Sequence, residues 1–263
     1  MNMLRSLWNY RGFILGTIKR EFQAKYQNSL FGMVWAVLSP LAMIIVYTVV
    51  FSQVMKAKLP GVESNVAYSI YLCAGTLTWG LFSEITQRMQ VCFLENANLL
   101  KKLIFPRLCL PVIILGNALV NFSIIFALFT VFLLLTGNFP GLLFFALIPL
   151  LMILLMMAIG LGVTLGVLNV FFRDVGQFFG IFLQFWFWLT PIVYPISILP
   201  AKVQSLMNLN PLVSVIGGFQ SILVMQTMPE WSSLVYPLIL SICLCATGLY
   251  LFRRHAGDMV DEL

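Results

Sequence analysis

Few residues in this chain have side chains that do chemistry, and their placement excludes more than it suggests. There is one histidine, His255, and five cysteines: Cys73, Cys92, Cys109, Cys243 and Cys245. The cysteines lie in or beside apolar runs and show no metal-ligand spacing, so they read as small apolar packers. With a single histidine, a metal site is not expected. No Ser/His/Asp or Cys/His arrangement can be assembled, and no GxxxxGK[ST] phosphate loop occurs. The acids are scattered among connections. Glu84 alone falls within an apolar run, and Arg88 follows it at i+4, an order that favours a local ion pair near a membrane interface. An ion-driven transporter should carry ionisable relays inside its spans, and this chain offers none beyond Glu84. The chemistry therefore points away from an enzyme and toward a membrane protein whose energy comes from a partner.

The surrounding elements explain why. The chain is 61% hydrophobic and 9% charged, against about 25% charged in a soluble domain. One water-soluble core cannot bury that excess, so the bilayer must be its solvent. The runs are continuously apolar rather than alternating, which selects helices over an outer-membrane barrel. The expected fold is an all-α membrane protein. Six transmembrane helices are expected, at about 33–55, 67–89, 109–136, 142–172, 177–194 and 233–252. Residues 1–30 read as an amphipathic cytoplasmic interface segment, and 31–263 as one transmembrane domain. In the first segment Leu4, Leu7, Trp8, Phe13, Ile14 and Ile18 could share a face. Charged residues are spread through it, so no secretory signal is expected.

Basic residues fix the orientation. With six spans, only Lys56, Lys58 and Lys202 of the 15 face outward; the other twelve face inward. Both termini are then cytoplasmic. The net charge of +6 is thus a topology signal, and no nucleic acid is expected as a partner. A seventh span within 195–232 would export Arg253 and Arg254 and place Gly217-Gly218 at mid-membrane. That stretch reads instead as a re-entrant helical hairpin on the outer side, between spans five and six. Between spans two and three, Asn96 or Asn98 can cap a short helix through Leu99–Leu103, which must end before Pro106. Gly162 and Gly166 form a small-xxx-small pair suited to close helix packing.

Several segments carry a resemblance to a known family. They are Leu30-Phe31-Gly32-Met33-Val34-Trp35 through Ser39-Pro40, Tyr71 through Trp79, Asn98-Leu99-Leu100-Lys101-Lys102 through Phe105-Pro106-Arg107, Phe172-Arg173-Asp174-Val175, Thr190-Pro191-Ile192-Val193-Tyr194 and Asn210-Pro211. In order and spacing the chain resembles the permease subunit of ABC-2 type transporters, in the polysaccharide and O-antigen export branch. The resemblance implies a homodimer paired with two copies of an ABC ATPase, which would hold ATP and Mg. It implies a lipid-linked polysaccharide as cargo, leaving the cytoplasm through the inner membrane.

The resemblance also assigns roles. Glu95, Asn98, Leu99, Leu100, Lys101 and Lys102 would form a coupling helix seated on the ATPase. Arg173 and Asp174 would be either a second contact or a local pair fixing their turn. Arg5 and Arg11 are candidates for the substrate's pyrophosphate, since guanidinium binds phosphate through paired hydrogen bonds. Tyr47, Phe51, Phe182, Phe185, Trp186 and Tyr194 are candidates for a sugar conduit, offering flat apolar faces to pyranose rings; the alternative is lipid-facing packing and an interfacial belt. Teichoic acid, capsule or a small lipophilic compound remain alternative cargoes. A non-transporting membrane scaffold is the alternative of another class.

Overall fold

A computed structural model describes residues 8–26, 31–54, 59, 66–98, 107–255 and 257–262. Among these residues the chain is helical, with no strand. Helix α1 (Arg11–Tyr26) precedes the bundle. A 3-10 turn leads into α2 (Trp35–Tyr47), which continues through Val54 as a wider π-helix. Then follow α3 (Ala67–Glu95), α4 (Cys109–Leu135) and α5 (Leu147–Phe171), the last entered by a 3-10 turn from Gly141. Helix α6 is Asp174–Trp188 and α7 is Ala201–Met207. Helix α8 (Pro211–Gln220) runs on as a π-helix to Met225. Helix α9 (Val235–Arg254) follows a 3-10 turn, and α10 (Asp258–Glu262) closes the order.

Four stretches are long and apolar enough to cross a membrane: Gly32–Phe51, Cys109–Leu135, Gly141–Phe171 and Trp231–Arg254. A fifth is reached if α7 and α8 with its π extension, bent by 102° at their junction, count as one broken span. The protein is therefore multi-pass. Two of the six expected spans fall short by this measure, each for a physical reason. Helix α3 has 29 residues, but it carries Ser69, Thr76, Thr78, Ser83, Glu84, Thr86 and Arg88. It tolerates them because it is the centre of the bundle; Phe82, Ile85 and Phe93 are fully enclosed. Helix α6 has only 15 residues, or about 22 Å of rise, against a hydrocarbon core of about 30 Å. It stops because Thr190 precedes Pro191, a position biased against helical backbone. The bend between α7 and α8 suits either a broken span or the outer-side re-entrant hairpin.

Helices α3 and α5 pack face to face; α9 packs on α5, and α4 packs on α3. Helix α8 lies across α3 and α5. Absent side chains let these backbones approach. A Cβ on Gly160 would sit 2.5 Å from the Cys245 backbone nitrogen, and one on Gly248 would sit 2.9 Å from the Gly160 carbonyl oxygen. Gly162 and Gly166 receive Met89 and Phe93 of α3. The small-xxx-small pair thus serves packing inside the protomer.

Candidate functional site

The C-terminal end of α3 is built from its polar residues. Asn96 is the C-cap of α3, and its Nδ2 donates back to the Cys92 carbonyl at 2.8 Å. It closes α3; the short helix Leu99–Leu103 that Asn96 or Asn98 is expected to cap lies outside the described residues. Glu95 is the last residue of α3, and Asn98 is exposed in helical backbone beyond it. Leu99, Leu100, Lys101 and Lys102 lie outside the described residues, as does Arg5.

Arg88 and Glu84 do not pair with each other. Arg88 donates to Glu21 of α1 at 2.8 Å, and Asn117 of α4 donates to the same carboxylate oxygen at 2.7 Å. Glu84 instead accepts from Asn121 at 3.0 Å. The i,i+4 spacing allowed the local pair, but α1 and α4 bring partners that point at each side chain more directly. Below this polar patch, Ile14 of α1 is buried against Cys109 and Ile113 of α4, and Ile18 lies where Gly116 has no side chain. The apolar side of α1 thus meets protein, while Trp8 is 68% exposed. Arg11 stays exposed, with its guanidinium 5.0 Å above the Trp8 ring.

Arg173 and Asp174 begin α6 and both are exposed. Asp174 sits in the first turn, where a carboxylate complements the helix dipole. Their turn is held by Asn169, whose Oδ1 accepts from the Gly176 N–H at 3.0 Å. Among the described residues Arg173 and Asp174 form no ion pair, so the expected local pair is not what fixes the turn.

The aromatic candidates divide into two groups. On α6, Phe178, Phe182, Phe185 and Trp188 lie along its open side, with Phe185 64% exposed. Trp186 turns inward, edge-on to Trp79 and Phe82, and its Nε1 donates to Asn210 at 3.0 Å. Tyr47 and Phe51 of the first span join a row of rings that continues through Tyr68 to Tyr71. Tyr194 belongs to that end as well. Its backbone carbonyl accepts from Tyr71 Oη at 3.0 Å, and its own hydroxyl donates to the Trp188 carbonyl at 2.6 Å.

The segment 189–195 is pinned at almost every residue. Tyr71 Oη shares its proton with the Pro191 carbonyl at 2.9 Å, Tyr68 Oη donates to Val193 O, and Gln220 Nε2 donates to Pro191 O at 3.3 Å. Gly75 gives Ile192 and Gln220 the room to approach α3. Asn210 ties the far side: it caps α8 by accepting from Leu212 N, and it donates to Thr190 Oγ1 at 2.9 Å. No group of three or more metal-ligating side chains occurs among the described residues.

An inventory of polar pins on a membrane bundle does not identify a protein, but an alignment with known sequences does. The ABC-2 type transporter profile matches residues 14–224. The chain belongs to the ABC-2 type transporter family. It is thus the transmembrane permease component of such a transporter. It is 29% identical over 265 residues to the O-antigen export system permease protein RfbA of Myxococcus xanthus, with all of both chains covered. It is 28% identical over 240 residues to the protein of the same name from Klebsiella pneumoniae, covering 89% of this chain and 88% of that one. It is 23% identical over 248 residues to the polysialic acid transport protein KpsM of Escherichia coli, covering 92% and 93%.

Within this ABC-2 permease, the expectation from sequence passed over Gln90, Asn117, Asn169, Tyr71 and Gln220. The signal was present: each is a polar group in an otherwise apolar helix, where an unpaired amide or hydroxyl is costly. Such residues mark hydrogen bonds between helices.

Proposed function

We propose that this chain is the membrane half of an ATP-driven exporter that carries lipid-linked surface polysaccharide of the O-antigen type from the cytoplasm across the inner membrane. The observation that carries this reading is the end-to-end likeness to an O-antigen export permease, 29% identical over 265 residues. The missing phosphate loop supports a separate ABC ATPase, in two copies on a permease homodimer, with ATP and Mg held there. In this reading α3 and α6 are also spans, giving six, and both termini are cytoplasmic. Glu95, Asn98 and the following Leu99–Lys102, with Arg173 and Asp174, meet the ATPase. Phe182, Phe185, Tyr47 and Phe51 are positioned for a conduit, whereas the inward ring of Trp186 and the turn bond of Tyr194 support structural duties for those two. Arg11, and Arg5 with it, would meet the lipid pyrophosphate.

A strain lacking this chain tests the reading. It should lose surface polysaccharide and accumulate lipid-linked polymer inside. Normal surface polymer without internal build-up would sink it. The likeness to a polysialic acid transport protein favours a second cargo, a capsule-type polymer. Chemical analysis of the accumulated material separates the two.

A further inference from the structure

Gln90 and Asn169 are 7% and 2% exposed, deep in an apolar bundle. Asn169 Nδ2 donates to the Gln90 backbone carbonyl at 2.9 Å. Asn169 Oδ1 accepts from the Gly176 N–H at 3.0 Å, and Gln90 Nε2 donates to the Gly176 carbonyl at 3.3 Å. These three bonds close a knot among α3, α5 and the start of α6. Gly176 has no space for a side chain; a Cβ would lie 2.8 Å from Asn169 Oδ1. The knot sits five residues before Glu95, the last residue of α3, and immediately after Arg173 and Asp174. It therefore stands directly behind both segments assigned to the ATPase contact.

We infer that Gln90, Asn169 and Gly176 are positioning residues that make the α3 exit and the α5–α6 turn move as one body. The inference rests on the proposed coupling to an ATPase. Breaking one of these amide hydrogen bonds in this apolar setting leaves buried groups unpaired, so the three helices resist separate displacement. Another side of α3 is held differently. Its Arg88–Glu21 pair has side chains 39% and 42% exposed, and such pairs restrain little. A push on either turn thus passes through the knot into α3 and α5, the two central helices. Gln90 Oε1 has no partner among the described residues, so Gln90→Met removes an unpaired acceptor along with the longest of the three bonds while nearly preserving volume.

The test is the number of ATP molecules hydrolysed per polymer exported, measured on the complete permease–ATPase complex in lipid vesicles loaded with lipid-linked polysaccharide. For Asn169→Leu we expect hydrolysis within about twofold of wild type and ATP use per polymer raised about tenfold, the scale of losing a buried hydrogen-bond pair. Gln90→Met should assemble normally and show a smaller rise, and Glu21→Gln should show none. Hydrolysis and export falling in parallel in both knot variants would mean the knot is merely structural, and an unchanged ratio would mean it transmits nothing. Either overturns the inference while wild type still exports. A wild-type complex that hydrolyses ATP and moves no polysaccharide overturns the functional reading and this inference with it.

Discussion

Asn210 joins α6, the turn at Thr190 and α8 through one side chain. It caps α8, accepts from Trp186 and donates to Thr190. Asn210→Ala should cost about 1–2 kcal/mol from the lost cap and the unpaired indole N–H, seen as a lower melting temperature of the purified protein. Glycines give a sharper contrast. Gly160→Ala drives a methyl into the α9 backbone and should destabilise by about 1–3 kcal/mol. Gly180→Ala in α6 meets open space and should stabilise by about 0.5–1 kcal/mol through helix propensity. Equal melting temperatures for the two variants would contradict the packing. At this scale the sequence is a poor guide to partners. Spacing put Glu84 beside Arg88, yet the bonds they make cross to α4 and α1, 37 and 67 residues away. An i,i+4 rule sees only its own helix.

At the scale of elements, α1 is a docked helix. Its seat is a slot: Ile18 Cδ1 lies 2.4 Å from where a Gly116 Cβ would be. Gly116→Val fills that slot and should unseat α1, so that trypsin cuts faster at Lys19 and Arg20, which are exposed already but held in helix. Unchanged cleavage would show that the Glu21 contacts to Arg88 and Asn117 hold α1 unaided. Elements that face lipid were the readable ones. The runs at 109–136 and 142–172 are continuously apolar, and the helices there are Cys109–Leu135 and, with its 3-10 lead, Gly141–Phe171. The length of α6 was not readable. Phe185 through Tyr194 is nearly all apolar, and only the two prolines, with the hydroxyls that pin the turn from other helices, end it at Trp188.

At the scale of the whole molecule, polarity is arranged inside out. The helices with the longest lipid-compatible stretches, α2, α4, α5 and α9, supply the four spans, and the more polar α3 fills the middle. Fold class and family were legible because hydropathy is set by the solvent, which here is lipid. The candidate site was legible only as segments, since its working geometry depends on amides that meet across helices distant in the chain.

That inverted arrangement has a consequence for how the chain is made. A segment carrying Glu84, Arg88 and several hydroxyls partitions poorly on its own, because a charged residue at mid-helix opposes insertion by about 2.5–3.5 kcal/mol. Two of its chief neighbours, α4 and α5, are synthesised after it. Helix α3 should therefore stall at the translocon and commit to the bilayer only when α4 arrives and Asn121 donates its hydrogen bond to Glu84. In a glycosylation-reporter assay, residues 67–95 alone should insert incompletely, residues 109–135 fully, and the pair in tandem should rescue the first; efficient insertion of 67–95 alone would refute this order of biogenesis.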